Sequence, residues 1–236
     1  MDAAEDGMWW YRAAHARVLD ALRRRPGARG PLLDAGCGTG GMLRRFGAEL
    51  PERAPVGLEY VPEAARRAAA KSGRPVAAGD ANRLPFPDAS FGAAVSIDVI
   101  SHAGVEPARA LAELRRVLRP GGTLVLNLPA YQWLTSAHDI RVHNARRFSR
   151  RGAARLLEAA GFAEVEGRYW NGLLLPLMVL QRKVLQRRPD APSDVTDFPP
   201  WIDASLHAVS EVERSLGLRG VPMPGGGSIL ILATRP

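Results

Sequence analysis

Three glycines at alternate positions follow an aspartate in the segment LLDAGCGTGG, residues 32–41. Gly36, Gly38 and Gly40 carry no side chains, so the backbone there can turn sharply and approach a ligand closely. The helical pattern that follows would point its amino end, with unpaired N–H groups, at the same place. Asp34 stands where the strand ends and can accept a hydrogen bond or favour a cation. The segment therefore predicts a ligand-binding corner at the carboxyl end of a central strand.

Two more carboxylates stand where later strands are expected to end. Glu59 ends PVGLEY and can take both hydroxyls of a ribose, while Asp80 ends RPVAAGD and can hold an adenine amino group. A fourth feature, LRRVLRPGGTLVL, reads as a helix, a Pro-Gly-Gly turn and a strand. The glycine spacing is G-x-G-x-G, which differs from the G-x-G-x-x-G of dinucleotide-binding dehydrogenases. These features together favour an adenosyl ligand over a nicotinamide dinucleotide.

Apolar β-type runs alternate with helical patterns along the chain, as a doubly wound α/β fold requires. Several strand patterns are apolar without alternation, which is expected when helices cover both faces of a parallel sheet. The strand-like segments are PLLDA, APVGLEY, RPVAAGD, FGAAVSID, GTLVLNLP and SILILATR, and the helix-like ones are GMLRRFGAEL, PEAARRAAAKS, EPARALAELRRVL, SRRGAARLLEAAG and WIDASLHAVSEVERSL. Helical spacing also covers residues 8–25.

We expect a single domain over residues 1–236, with three additions to the minimal alternation of strands and helices. Residues 1–28 would form an N-terminal helix or lid. Residues 129–148, rich in His and Arg, and residues 171–227 are longer than simple connections require. Long insertions in compact domains tend to be lids or binding loops, so we assign these two to the acceptor side of a site.

With these four motifs in this order and spacing, the chain resembles the class I S-adenosylmethionine-dependent methyltransferases over roughly residues 30–165 and the last strand. The resemblance implies a Rossmann-like seven-stranded sheet whose final strand is antiparallel, with S-adenosyl-L-methionine as the cofactor. It implies a role for each cofactor-side residue: the methionine part borders Asp34, Gly36, Gly38 and Gly40, the ribose meets Glu59, the adenine meets Tyr60, Asp80 and Ala81, and the amino group and transferred methyl lie near Asp98.

Two segments resemble a narrower bacterial subgroup of these enzymes, associated with glycan or lipid-linked saccharide biosynthesis. They are the Trp-Trp entry EDGMWWYRAAHARVLDAL and the block LPAYQWLTSAHDIRVHNARRFSRRGAARLLEAAGF. The chain departs from the subgroup at Ser101, where Glu precedes the histidine, at Val142, where Gly is common, and at Phe148, where Tyr is usual. These departures leave cofactor binding untouched and leave the acceptor open.

Histidines supply the candidate bases for an acceptor that must lose a proton. His102 follows the fourth strand, beside the implied methyl position; the alternative is that it caps the loop. His138 and His143 share a loop with Asp139, which can orient one imidazole. A loop fixed by local hydrogen bonds remains the alternative for that group. The spacing H-D-x-x-x-H matches no strong zinc pattern, so we expect no metal.

Two further groups are candidates for substrate binding. Arg146 and Arg147 precede a helix and can clamp a phosphate or carboxylate; the alternative is a solvated basic helix start. Trp10 and Tyr11 follow Trp9, and three adjacent aromatic residues on a helix cannot all face the core. One or more of them can fold over the site as a lid, and the alternative is an anchor for the first helix.

Composition bounds the remaining expectations. The net charge is +8, yet only two lysines occur, which indicates compositional bias more than an anionic partner. One cysteine excludes an intrachain disulfide and fits a reducing compartment. With no apolar signal region and a longest apolar run of eight residues, 173–180, we expect a cytoplasmic chain with no transmembrane segment. The segment LLLPLMVLQRKVLQRR could lie on an anionic membrane surface or face an apolar acceptor, but a core helix or a homodimer face is favoured.

The sequence thus predicts methyl transfer to an O or N nucleophile of a small molecule, with an anionic, sugar-linked or lipid-linked biosynthetic metabolite as the acceptor class. Two alternatives stay open. An RNA methyltransferase is disfavoured because the chain has no Asn/Asp-Pro-Pro-aromatic motif and no appended RNA-binding module, so we expect no nucleic-acid partner. A non-catalytic S-adenosylmethionine-binding protein on the same fold is the other.

Overall fold

A computed structural model describes residues 7–136, 139, 143–182 and 198–236. Within these ranges the helices are α1 (Trp9–Arg24), α2 (Gly41–Glu49), α3 (Pro62–Ser72), α4 (Pro107–Val117), α5 (Arg150–Ala159), α6 (Leu175–Leu180) and α7 (Pro200–Leu218). The strands are β1 (Leu32–Ala35), β2 (Val56–Glu59), β3 (Val76–Ala78), β4 (Phe91–Ile97), β5 (Leu118–Pro129), β6 (Ala163–Trp170) and β7 (Ser228–Thr234). Short 3₁₀ turns occupy Pro51–Arg53 and Gln132–Leu134.

The strands form one seven-stranded sheet in the order β3-β2-β1-β4-β5-β7-β6. The first five strands in sequence pair in parallel, and β7 is antiparallel to both of its neighbours, β5 and β6. The predicted doubly wound fold and its antiparallel last strand are therefore confirmed. Six of the strands and six of the helices fall on the segments that the sequence pattern predicts.

Helices cover both faces of the sheet, because successive residues of the central strands point to opposite sides. On one face Leu32, Ala93 and Val125 pack against α1 and α2. On the other face Leu33 and Ala94 pack against α4 and α5. This two-sided burial explains why the central strands read as continuous apolar runs.

Strand β6 is the one strand outside the predicted strand-like segments, although its sequence, AEVEGRYW, alternates small or apolar residues with charged ones as a half-buried strand does. It lies at the edge of the sheet, and its side chains alternate between half-buried and exposed. The carboxylate of Glu166 pairs with Arg24 and Arg25 from the end of α1. An edge strand with one solvated face keeps such charges, so it alternates instead of forming the continuous apolar run that marks a central strand.

None of the helices in the described part of the chain combines the length and apolarity that a bilayer crossing requires. Helix α6 is short and leaves Leu173, Leu177 and Leu180, just before and along it, about half exposed. The basic residues that follow, Lys183, Arg187 and Arg188, lie outside the described residues. Arg182 pairs with the buried Asp139, so it does not extend a basic surface strip.

Gly40 offers a stability test because its backbone is left-handed and its surroundings are tight. Its φ is +92°, and a Cβ there would lie 2.8 Å from the Ala68 Cα of α3. Gly73 is the matched control, because its φ is +65° and a Cβ there would meet nothing within 4 Å. We expect Gly73→Ala to cost about 1 kcal/mol and Gly40→Ala about 3 kcal/mol, from left-handed strain alone against strain plus overpacking. Urea unfolding of both variants measures this, and equal losses would contradict the packing argument.

Candidate active site

Four acidic residues stand at the carboxyl ends of four neighbouring strands. In the order of the sheet they are Asp80 after β3, Glu59 ending β2, Asp34 within β1, and Asp98 after β4. Because neighbouring strands lie about 4.8 Å apart, the row is about 14 Å long. Strand order reverses between β1 and β4, which is where open α/β sheets form their ligand crevice.

The glycine corner and Glu59 are joined directly. Gly36, Gly38 and Gly40 all have positive φ, at +90°, +57° and +92°. One oxygen of the Glu59 carboxylate, Oε2, accepts a hydrogen bond from the Gly38 N–H at 3.0 Å, and Oε1 accepts one from the Val61 N–H at 3.0 Å. A carboxylate offers about four acceptor positions, so both oxygens can still receive ligand hydroxyls.

Two of the three glycines are also required by packing within the protein. A Cβ at Gly36 would lie 2.2 Å from Val99 Cγ2, and the contact of Gly40 with α3 is described above. Cys37 is buried with Leu43 and Ala68, which agrees with a packing role. Asp34 is only 2% exposed, so it lies beneath the corner rather than on its surface.

The adenine end of the row is open and polar. Tyr60 is 73% exposed directly after Glu59, so its ring face is available to a ligand. Asp80 Oδ1 accepts from the Asn82 backbone N–H at 2.8 Å and from Asn82 Nδ2 at 2.9 Å, which fixes the carboxylate. Ala81, between them, is half-buried. Asn82 is not among the predicted site residues, although an Asx turn directly after a strand is a signal that could indicate it.

Asp98 occupies a strained and desolvated position. Its φ is +57°, and its Oδ1 accepts a hydrogen bond from Asn127 Nδ2 at 2.9 Å. Burial raises the pKa of Asp98 to about 7, with the nearby charge of Asp139 adding to the rise, while the bond from Asn127 and the charge of Arg147 oppose it. Residues with strained backbone and carboxyl groups with shifted pKa values cluster at functional sites, so Asp98 is a candidate for binding the cofactor.

Two buried residues behind Asp98 were missed from the sequence. Asn127, 1% exposed, is the one amide in the apolar run of β5, and its Oδ1 accepts from Trp170 Nε1 at 2.8 Å. Trp170, 4% exposed, ends β6. A lone Asn in a buried strand could have signalled a polar partner, but no local pattern could have named a residue 43 positions away.

The structure brings two of the three acceptor-side histidines together. His102 and His143 are exposed, and segments 101–103 and 143–145 pair through the backbone, with the Ala103 N–H donating to the His143 carbonyl at 2.9 Å. Partial desolvation of the imidazole and the charge of His143 lower the pKa of His102, while Glu59 acts in the other direction. His138 lies outside the described residues.

Asp139 contacts arginines among the described residues rather than an imidazole. Its carboxylate is fully buried and pairs with Arg147 at 2.7 Å and with Arg182 at 3.7 Å. It also accepts from the Ser136 backbone N–H at 2.9 Å. This geometry favours the alternative of a loop fixed by local bonds, and the role of Asp139 as an orienter of histidine stays a prediction.

Arg146 and Arg147 make internal bonds. Arg146 Nη1 donates to the carbonyls of Ile100 and His102, each at 3.3 Å, and so braces the turn that carries His102. Arg147 Nη1 donates to the Ala130 carbonyl at 3.1 Å besides its pair with Asp139. The acceptor-clamping role predicted for these two arginines is untested, and the contacts found favour bracing.

The aromatic entry lies over the residues behind Asp98. Trp9 is buried, whereas Trp10 and Tyr11 are half-buried. The Trp10 ring lies 5.2 Å from that of Tyr11 and 5.9 Å from that of Trp170. Trp10 therefore stands at the rim of the crevice, where a lid or an anchoring role remains open.

Strained backbone gathers at the same edge. Besides Asp98, three residues with positive φ and a side chain follow the carboxyl ends of β5 and β6: Tyr131 at +59°, His143 at +56° and Asn171 at +62°. Such strain tends to persist at binding sites. Within the described residues, no group of three or more His, Cys, Asp or Glu side chains is arranged to hold a metal ion.

These residues fit S-adenosylmethionine. A row of fixed carboxylates suits the ribose hydroxyls at Glu59 and the cationic methionine end at Asp98. The glycine corner lies between them, and because it has no side chains its backbone can come into close contact with a ligand. The exposed Tyr60 ring could stack on an adenine, and the Asp80 carboxylate could accept a hydrogen bond from its amino group.

The chain is similar to known methyltransferases in sequence and in fold. Residues 33–126 match the family described as a methyltransferase domain. The chain is 41% identical over 126 residues to the demethylmenaquinone methyltransferase of Deinococcus radiodurans, covering 50% of this chain and 48% of that protein. It is 38% identical over 133 residues to 24-methylenesterol C-methyltransferase 2 of Oryza sativa subsp. japonica, covering 53% and 34%. The matched part thus spans about half or less of the length of these relatives.

Solved structures show the same fold. Geranyl diphosphate methyltransferase in complex with S-adenosylmethionine superposes with a TM-score of 0.62, at 18% identity, over 95% of this chain and 85% of that one. The family match over residues 33–126 and the named relatives support a class I S-adenosylmethionine-dependent methyltransferase, and the solved structures share its fold. S-adenosylmethionine is the cofactor of that family.

The raised pKa of Asp98 makes stability depend on pH. The unfolded carboxyl ionises near its usual value of 3.8, while the folded one stays protonated until about pH 7. Between these values the unfolded state binds fewer protons, so the contribution of Asp98 to stability is lost as pH rises. We expect Asp98→Asn to gain stability over wild type, with a gap that widens from pH 5 to pH 8 by on the order of 2 kcal/mol. Urea unfolding across this range measures the gap, and a gap independent of pH would refute the shift.

Proposed function

We propose that this chain transfers the methyl group of S-adenosylmethionine to an oxygen or nitrogen nucleophile of a small molecule that carries an apolar portion. The observation that carries the proposal is the position of His102. It stands four residues beyond Asp98 on a turn braced by Arg146, at the carboxyl edge where the cofactor residues meet.

The cofactor supplies a methyl group on a sulfonium, which is already activated for displacement. The task of the chain is to hold the donor and the acceptor in line, about 3 Å apart, which can supply several kcal/mol of the barrier. Glu59 and the Gly38 N–H fix the sugar end, and the Asp98 carboxylate attracts the cationic end. Trp10 and Tyr11 stand where they can exclude water from the acceptor side.

His102 is the proposed base. Its lowered pKa keeps the imidazole neutral near pH 7, the form that accepts a proton. The acceptor hydroxyl, or the neutral amine as it gains the methyl group, would give its proton to the His102 imidazole. His143, beside it, contributes a second exposed imidazole for orientation.

An apolar surface beside the site supports a lipid-linked or otherwise greasy acceptor. Helix α6 packs against the start of β7 at the carboxyl edge, where a Cβ at Gly227 would lie 2.4 Å from Met178 Cε. Leu173, Leu177 and Leu180 keep about half of their surface exposed there. Two relatives are named as a demethylmenaquinone methyltransferase and a 24-methylenesterol C-methyltransferase, which supports a lipid-like acceptor here but not the choice of an oxygen or nitrogen nucleophile.

Cofactor binding is the first test. We expect calorimetry to show binding of S-adenosylmethionine and S-adenosylhomocysteine, and Glu59→Gln to weaken both by about 10- to 100-fold. The amide removes the charge and places a second donor against the N–H of Gly38 or Val61. Glu63→Gln, on the exposed start of α3, is the matched control and should bind like wild type. Absence of binding to the wild-type protein at millimolar cofactor would reject the proposal.

Base catalysis is the second test. With a hydroxyl or amine acceptor found by a tritiated-methyl screen of quinone, sterol and polyprenyl-linked fractions, we expect His102→Ala to lower kcat by about 10²- to 10⁴-fold with little change in cofactor affinity. His207→Ala, at a half-buried histidine on α7, is the control and should retain wild-type kcat. Full activity of His102→Ala would remove this residue from the mechanism.

A further inference from the structure

We infer that Asn127 and Trp170 are positioning residues that hold the Asp98 carboxyl in the orientation that receives the cationic end of the cofactor. The inference deepens the proposed function and rests on it for the identity of the ligand. The hydrogen-bonded chain itself, from indole to amide to carboxyl, is a feature of the protein alone.

The direction of each hydrogen bond in this chain is fixed by chemistry. An indole N–H can only donate, so the Asn127 atom that faces Trp170 must be the amide oxygen. The amide nitrogen then has to face Asp98, where it donates to Oδ1 at 2.9 Å. Oδ1 is consequently held as an acceptor, and the second carboxyl oxygen remains for a ligand or for the proton.

The hydrogen-bonded series from Trp170 through Asn127 to Asp98 cannot rearrange easily, because Trp170 and Asn127 are buried and packed. The guanidinium of Arg17 lies 4.6 Å above the centre of the Trp170 ring, and the Trp10 ring is close by. Arg17 is itself held by the carbonyls of Ala13 and Ser210, at 3.1 and 2.7 Å. A cation over the ring face and a dry environment both stabilise the indole where it stands.

The same support reaches the C-terminal insertion. Arg17 lies 3.6 Å from the carboxylate of Glu213 on α7. That carboxylate accepts from the backbone N–H groups of residues 171, 172 and 173, at 2.6, 2.7 and 2.9 Å, directly after Trp170. The end of β6 is thus clamped from both sides, and Trp170 gains a fixed position from which to orient Asn127.

A role in orienting Asp98 makes a prediction that simple core packing does not. The bond from Asn127 lowers the pKa of Asp98, against the larger effect of burial. The charges that face the carboxyl are Arg147, which also lowers this pKa, and Asp139, which raises it. Losing the indole donor frees the Asn127 amide to turn, so the pKa of Asp98 should rise further.

The test uses Trp170→Phe, which keeps an aromatic ring under Arg17 and removes the N–H. Carboxyl ¹³C NMR of the cofactor-free protein follows the Asp98 titration, with Asp98→Asn identifying its resonance. We expect the midpoint to rise by about one pH unit in Trp170→Phe and by at least as much in Asn127→Leu. Trp201→Phe, the same change at a residue 72% exposed on α7, should leave the midpoint unchanged.

Calorimetry with S-adenosylmethionine completes the test. We expect Trp170→Phe to weaken binding about tenfold at pH 7 and less at pH 9, where Asp98 is ionised in both proteins. An unchanged NMR midpoint in both variants would overturn the inference, as would a shifted midpoint with affinity unchanged at every pH. If the wild type binds no cofactor, the proposed function and the assigned ligand both fail. The NMR result alone still decides whether Asn127 and Trp170 orient the Asp98 carboxyl. If Trp170→Phe does not fold, Asn127→Leu decides by the same two readouts.

Discussion

The site depends on the reversal of strand order between β1 and β4. The connections leave these two neighbouring strands in opposite directions, so a crevice opens at their carboxyl ends. The glycine corner lies on one side of it and Asp98 on the other. Because β2 and β3 continue the row beyond β1, an elongated ligand meets a carboxylate at each strand end. The topology alone therefore sets the order in which the parts of the cofactor would be recognised.

The carboxylates in this row are held by donors of the protein itself. Glu59 is fixed by two backbone N–H groups, Asp80 by Asn82, and Asp98 by Asn127. Pre-organised acceptors lose little freedom when a cation or a ribose binds. The cost appears at Asp98, whose ionisation is opposed by burial, and an incoming cation offsets it. Sites of this kind trade stability of the free protein for affinity.

The placement of the glycines and acidic residues at the strand ends could be predicted from the sequence, whereas the contacts of the acceptor-side residues could not; the cofactor roles stay predictions. Gly36, Glu59 and Asp80 can be recognised in the sequence because each predicted ligand-binding role needs one residue type at one place after a strand. The central strands could also be predicted, because each is a continuous apolar run. The edge strand β6 has no such run and shows only an alternation of apolar and charged residues. Asn127 and Trp170 meet only because β5 and β6 flank β7, a pairing between segments far apart in sequence. The partners of Asp139 and Arg147 are fixed by loop geometry of the same long-range kind.

The arginines near the acceptor side show that a run of basic residues need not form an anion-binding site. A run of basic residues suggested an anion clamp, but a guanidinium also has five donors that can satisfy backbone carbonyls in a loop. Arg146 donates a hydrogen bond to a carbonyl of the turn that carries His102, and Arg147 donates to the buried Asp139 carboxylate. Their positive charge is thereby used to shape the site. In the proposed function, recognition of the acceptor would therefore depend more on the histidines and on the apolar surface of α6 than on these arginines.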